Sequence, residues 1–220
     1  MTFPSNSATG AAPKSASRRW ILIAAAVLVV AAVVTALLVF TGKGDPVAAN
    51  GTAGAPVPAS AAAAGHGGTD SGKVPGVLTL PGGGTAKAVR QDLTEDGTLP
   101  IPQALGEAAW WGANLGADHG VAVLSGHVNW KGAKGPFYEL WQVKAGQDLA
   151  LTDTSGGRWT YRIDTAETVH KTQLAERSEQ LFGPDGPHRL VLVTCGGEYV
   201  GGSTGYEDNR VVTASLVSRP

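Results

Sequence analysis

The sequence predicts a mostly-β domain, a barrel or a sandwich, in the later part of the chain. Three observations carry this expectation. Arg158–Ile163 alternates strictly, with Trp159, Tyr161 and Ile163 on one face and Arg158, Thr160 and Arg162 on the other. Leu190–Val193 is continuously apolar and rich in β-branched side chains, as a strand buried on both faces reads. Helical periodicity is confined to short pieces near Ala104–Ala113, Gly135–Leu140 and Gln173–Leu181.

The elements before this domain are read in order. Residues 1–19 form a polar tail that ends in Arg18 and Arg19. Trp20–Phe40 is an apolar run of 21 residues with no charge and only Thr35 as a polar interruption. As a helix it spans about 31 Å, close to the hydrocarbon thickness of a bilayer. A cleaved signal peptide is the competing reading, but its apolar core is usually shorter, about 7–15 residues. Lys14, Arg18 and Arg19 precede the run, whereas Lys43 and Asp45 follow it. The positive-inside bias therefore places the tail in the cytoplasm and the bulk of the chain outside the cell membrane. Residues 41–73, rich in Ala, Gly and Pro, show no apolar period and read as a flexible tether, with His66 idle inside it. Its root-mean-square span is about 30 Å.

Residues 74–220 form the folded domain, since five of the six Trp and all four Tyr lie beyond residue 100. That length supports a hydrophobic core of its own. Gly120–Leu124 reads as a short strand before a glycine. Asp148–Thr152 and Arg158–Ile163 are joined by Ser155-Gly156-Gly157, a hairpin signal. Arg210–Val217 is the final strand. A net charge of -1, without a basic patch interleaved with aromatics, gives no pull toward nucleic acid. Scattered acidic residues supply no calcium loop, and one cysteine supplies neither an internal disulfide nor a thiolate-rich zinc site. No metal and no cofactor are expected.

The chemistry centres on Cys195, the lone cysteine, which closes the Leu190–Val193 strand and precedes Gly196-Gly197. Glycines there leave room for a substrate backbone, and their N–H groups can face a developing oxyanion. A buried structural cysteine is the alternative. A nucleophilic thiol needs a proton acceptor. Of the five His, His127 also sits just past a strand and beside a glycine. His119 and His188 lie in turns and read as solvated, and nothing local recommends His170. Arg210 opens the last strand after Asp208-Asn209, one loop and return beyond the cysteine, where a guanidinium steadies a carbonyl oxygen. An exposed edge-strand arginine is its alternative.

Three segments then resemble one family: Gly120–Trp130 (GVAVLSGHVNW), Leu190–Gly197 (LVLVTCGG) and Gly205–Ala214 (GYEDNRVVTA). Ile101–Gly106, Lys134–Leu140 and Gly146–Asp153 extend the likeness across the folded part. The sequence resembles the sortases, in particular the actinobacterial class F group. The resemblance implies a closed eight-stranded β-barrel and a Cys195, His127, Arg210 constellation, with Thr194 lining the substrate groove. It implies a membrane-anchored cysteine transpeptidase that cleaves an LPxTG-like sorting signal in secreted proteins. A thioester on Cys195 is then resolved by an amine acceptor, typically a peptidoglycan precursor. In that scheme His127 protonates the leaving amine and Arg210 holds the carbonyl oxygen.

One departure bears on the cation. Relatives often read Tyr-Arg-Asp-Asn before an aliphatic strand, whereas here Glu207 precedes Asp208-Asn209 and Arg210 follows. Side chains alternate along a strand, so the shift turns Arg210 away from the thiol unless a bulge restores it. Arg158, Arg162 and Arg189 remain as substitutes. Two further readings stay open: an endopeptidase using water, and a non-catalytic surface-binding β-domain.

Overall fold

The computed structural model describes residues 55–56 and 71–220. The tail, the apolar run and most of the tether lie outside the described residues. In chain order the strands are β1 (Ala55–Pro56), β2 (Pro75–Thr79), β3 (Thr85–Arg90), β4 (Thr98–Leu99), β5 (Glu107–Gly112), β6 (Val121–Gly126), β7 (Asn129–Trp130) and β8 (Ala133–Lys134). A 3-10 turn over Pro136–Trp141 follows. Then come β9 (Asp148–Asp153), β10 (Arg158–His170), two short helices, α1 (Lys171–Leu174) and α2 (Ser178–Phe182), and the long pair β11 (Arg189–Gly201) and β12 (Gly205–Ser218).

Eight strands close into a barrel in the order β10-β12-β11-β6-β5-β3-β2-β9, which β9–β10 pairing completes. Most neighbours are antiparallel, but β11 runs parallel to β6 and β3 parallel to β5. The expected β9–β10 hairpin forms, and Asp153 secures its turn by accepting N–H bonds from Ser155, Gly157 and the Trp159 indole. Within the expected tether, Ala55–Pro56 pairs with Thr98–Leu99.

Alternation sorts the side chains into two cores. Every barrel strand sends residues inward, among them Leu78, Ala86, Ala108, Ala122, Leu149, Tyr161, Leu190 and Val212. On the outer face, Trp111, Val121, Val123, Val169, Val191, Val193 and Val211 pack against Leu99 and against Leu174, Leu181 and Phe182 from α1 and α2. Leu190–Val193 is thus buried on both faces, at 1% exposure or less for each residue. Burying four such side chains contributes about 1.5–3 kcal/mol each before entropy is charged.

One expected helical piece is corrected. Ala104–Ala113 holds strand β5, not a helix. Its Glu-Ala-Ala-Trp-Trp run buries Ala108 and Trp110 inward and Ala109 and Trp111 outward, and such a two-faced run carries no period of 2. The other two pieces are the Pro136–Trp141 turn and the α1–α2 pair.

Candidate active site

Cys195 lies on β11, partly exposed and in no disulfide. The parallel register of β11 on β6 runs from Arg189↔Val121 to Val193↔Ser125. Two residues beyond that last pair come Cys195, still within β11, and His127, just past the end of β6. Odd-numbered residues of both strands face the outer core, as Val191, Val193, Val121 and Val123 do. By that alternation Cys195 faces the outer side of β11, and His127 lies one residue past the end of β6.

His127 is partly buried, and its Nε2 lies 2.8 Å from the carbonyl oxygen of Pro102. A carbonyl only accepts, so Nε2 carries the proton of the neutral ring and Nδ1 keeps the lone pair. The ring also packs against Trp130 at 4.4 Å between centroids. Burial lowers the His127 pKa, and the Pro102 contact partly offsets it. Burial raises the Cys195 pKa, and the positive charge of Lys171 partly offsets that. Both shifts favour the uncharged forms, a thiol and a neutral imidazole. Such an imidazole can accept the thiol proton during attack.

Thr194 is 1% exposed, and its hydroxyl donates to the carbonyl of Gly126 at 2.8 Å. Its hydroxyl is thus spent on tying the cysteine strand to the residue before His127, and offers no surface to a groove. Gly196 also departs from expectation. A Cβ built there would lie 2.0 Å from the Trp141 ring, so the vacant volume is filled by indole and not left for a substrate. Gly197 has φ +77 and sits where the β11–β12 register slips between Gly196 and Tyr199.

Arg210 is not brought to the thiol's face. β12 pairs with β11 without a break from Ser215↔Arg189 to Asp208↔Gly196, so Arg210 stands opposite Thr194 and Asn209 opposite Cys195. The bulge begins only beyond Asp208, too late to turn Arg210 back. Its Nε donates to the carbonyl of Leu140 at 3.1 Å, and a terminal nitrogen donates to Thr168 Oγ1 at 3.2 Å. Its guanidinium carbon lies 5.8 Å from the Trp141 ring centroid. Trp141 in turn donates its indole N–H to the carbonyl of Cys195 at 3.1 Å. Arg158 and Arg162 are exposed, Arg162 pairing with Asp148, and Arg189 caps the carbonyls of Gly183 and Asp185. Sequence reasoning missed Trp141, whose contact with Gly196 no local pattern announces. It also missed Asn209, which only the strand register places beside the thiol.

His188 differs from the solvated residue expected. It is partly buried, its Nε2 meets the Tyr161 hydroxyl at 2.9 Å, and its Nδ1 is buried without a hydrogen-bond partner. It directly precedes β11, within which Cys195 stands further along.

The sortase-domain sequence profile matches residues 78–217, which takes in the whole barrel except the first residues of β2 and the last of β12. The chain belongs to the sortase family. Similar solved structures include sortase C1 of group B Streptococcus pilus island 1, at 17% identity and TM-score 0.49, covering 65% of each chain. Sortase A of Corynebacterium diphtheriae is 20% identical, TM-score 0.49, with 66% of this chain and 61% of that one covered. Sortase A of Listeria monocytogenes is 18% identical, TM-score 0.47, with 67% and 89% covered. The match thus spans less than two thirds of the first two chains. No curated protein matches the sequence.

Proposed function

We propose that this sortase-family chain is a membrane-anchored cysteine transpeptidase with Cys195 as nucleophile. Sortases are cysteine transpeptidases, and the reading is supported here by the parallel register of β11 on β6, whose last pair, Val193↔Ser125, precedes Cys195 and His127 by two residues each. In the forward step Sγ attacks the carbonyl carbon of the scissile peptide bond while His127 Nδ1 takes the thiol proton. The tetrahedral intermediate collapses to a thioester, and the leaving amine takes that proton from His127. An incoming amine then attacks the thioester carbonyl, its surplus proton passes by way of His127 to the departing Cys195 sulfur, and the thioester has kept the acyl group reactive between two moderate barriers.

The sorting-signal class, an LPxTG-like motif in secreted proteins, follows from the class F likeness of the GVAVLSGHVNW and LVLVTCGG segments. So does an amine acceptor of the cell-wall type. Anchoring by residues 20–40, with the catalytic domain outside the membrane, follows from the apolar run and its flanking charges. Arg210 enters this scheme as a positioning residue: it braces the Pro136–Trp141 turn, and that turn holds the Cys195 backbone.

Product analysis tests the reaction. The domain is incubated with a fluorogenic LPxTG-type peptide, with and without a glycine-based amine. Ligated product that requires the amine supports transpeptidation. Release of free acid alone, at the same rate in both, makes the chain an endopeptidase.

A further inference from the structure

With Arg210 on the far face, no arginine of β12 is left to meet charge that develops at Cys195. The residue directly across from the cysteine is Asn209. Directly opposed residues in an antiparallel pair share a face, and their Cβ atoms stand about 4.5–5.5 Å apart. The facing is corroborated on both sides: Val211 on β12 and Val169, paired with Asn209 from β10, belong to the same outer core as Val193. Asn209 is 4% exposed, one of only four buried polar side chains among the described residues. The other three are Ser125, Asp153 and Thr194. Thr194 and Asp153 have named partners.

An amide carries two N–H donors, and directly across from a nucleophile one of them is placed to meet charge that develops there. We propose that Asn209 donates from its amide nitrogen to the scissile carbonyl oxygen, in the place the family pattern gives to a guanidinium. This rests on the reading of Cys195 as nucleophile. When Sγ bonds to the carbonyl carbon, the π pair moves onto oxygen, and the Asn209 N–H stabilises that oxyanion. When the C=O re-forms, the bond to the leaving nitrogen breaks and the hydrogen bond weakens. No proton leaves Asn209 at any stage. Loss of one such donor typically lowers the rate about 10²–10³-fold.

The test compares two reactions of the same thiol. Acylation by p-nitrophenyl acetate passes through a tetrahedral oxyanion, whereas alkylation by iodoacetamide is a displacement at carbon that forms none. Asn209→Ala should lower the acylation rate about 100-fold and leave alkylation within about twofold of the native protein. Asn209→Leu keeps a similar volume, removes the donor without adding charge and should show the same split. It secures the test if the alanine variant does not fold. Equal losses in both reactions, or acylation within threefold of native, would overturn the proposal. Native protein that acylates with the ester but ignores LPxTG-type peptides contradicts only the substrate assignment, and the Asn209 comparison still decides. Native protein whose Cys195 reacts with neither reagent overturns both readings.

Discussion

Arg210 and Cys195 are joined through one indole: the guanidinium lies 5.8 Å from the Trp141 ring centroid, and that indole donates its N–H to the Cys195 carbonyl at 3.1 Å. The arginine therefore acts behind the strand and not on the thiol's face. Arg210→Ala should cost about 1–3 kcal/mol in urea unfolding, because it strips the Leu140 and Thr168 contacts. The midpoint of thiol alkylation against pH should stay where it is. A clear upward shift of that midpoint would mean that the guanidinium faces the thiol after all.

Gly196→Ala probes the same contact from the other side. Its new Cβ meets the Trp141 ring at 2.0 Å, so the ring must leave and the hydrogen bond to Cys195 breaks. Overpacking of this kind costs about 1–3 kcal/mol. Loss of turnover should exceed the loss of stability, and Trp141→Phe should reproduce part of it by removing only the indole N–H. Kinetics beside thermal melts will show whether the two variants move together.

The pH profile follows from the two shifts. His127 is depressed by burial, so it is neutral and able to accept a proton already below the ordinary histidine range. Peptide cleavage should therefore rise with pH through a midpoint below that range. Alkylation, which needs the thiolate, should rise only above the ordinary cysteine range. Coincident midpoints near neutrality would indicate a preformed thiolate–imidazolium pair instead.

His188 sets an acid limit on stability. The Tyr161 hydroxyl and the Gly116 N–H occupy its Nε2, at 2.9 and 3.3 Å, so Nδ1 carries the ring proton. Burial, then the charges of Arg219 and Arg189, push its pKa down to about 4. The unfolded chain binds the proton more tightly, so this contribution is complete above about pH 6.5 and is lost as pH falls through about 4. The loss is of order 2–3 kcal/mol. Denaturant titrations of native and His188→Gln protein across that window should differ in slope; parallel curves would refute the assignment.

Much of the barrel was legible in advance where burial leaves a simple pattern. Trp159, Tyr161 and Ile163 face inward as their alternation demands, and Leu190–Val193 is enclosed on both sides. β5 was not, because alternate Ala and Trp pairs fill two cores at once and erase the period. At the site, the apolar strand and the neighbouring glycines of Cys195 were legible, although β11 runs on to Gly201 and Cys195 stands within it and not at its end. The roles of Arg210, Gly196 and Thr194 were not, since each depends on register or on a distant turn: Leu140 and Trp141 lie about 70 and 55 residues away in sequence. Asn209 was invisible for the same reason. Its neighbour in the chain carries the charge, but the ladder sets the amide across from the thiol.

The central claim is that Cys195 forms a thioester with a sorting-signal peptide. Intact-mass measurement of the domain after brief incubation with an LPxTG-type peptide, quenched in acid, tests it most directly. The mass should rise by that of the acyl fragment, mapped to Cys195, with the rise absent in Cys195→Ala and lost on adding an amine. Peptide cleavage that persists in Cys195→Ala, or an adduct mapped to any other residue, would contradict it.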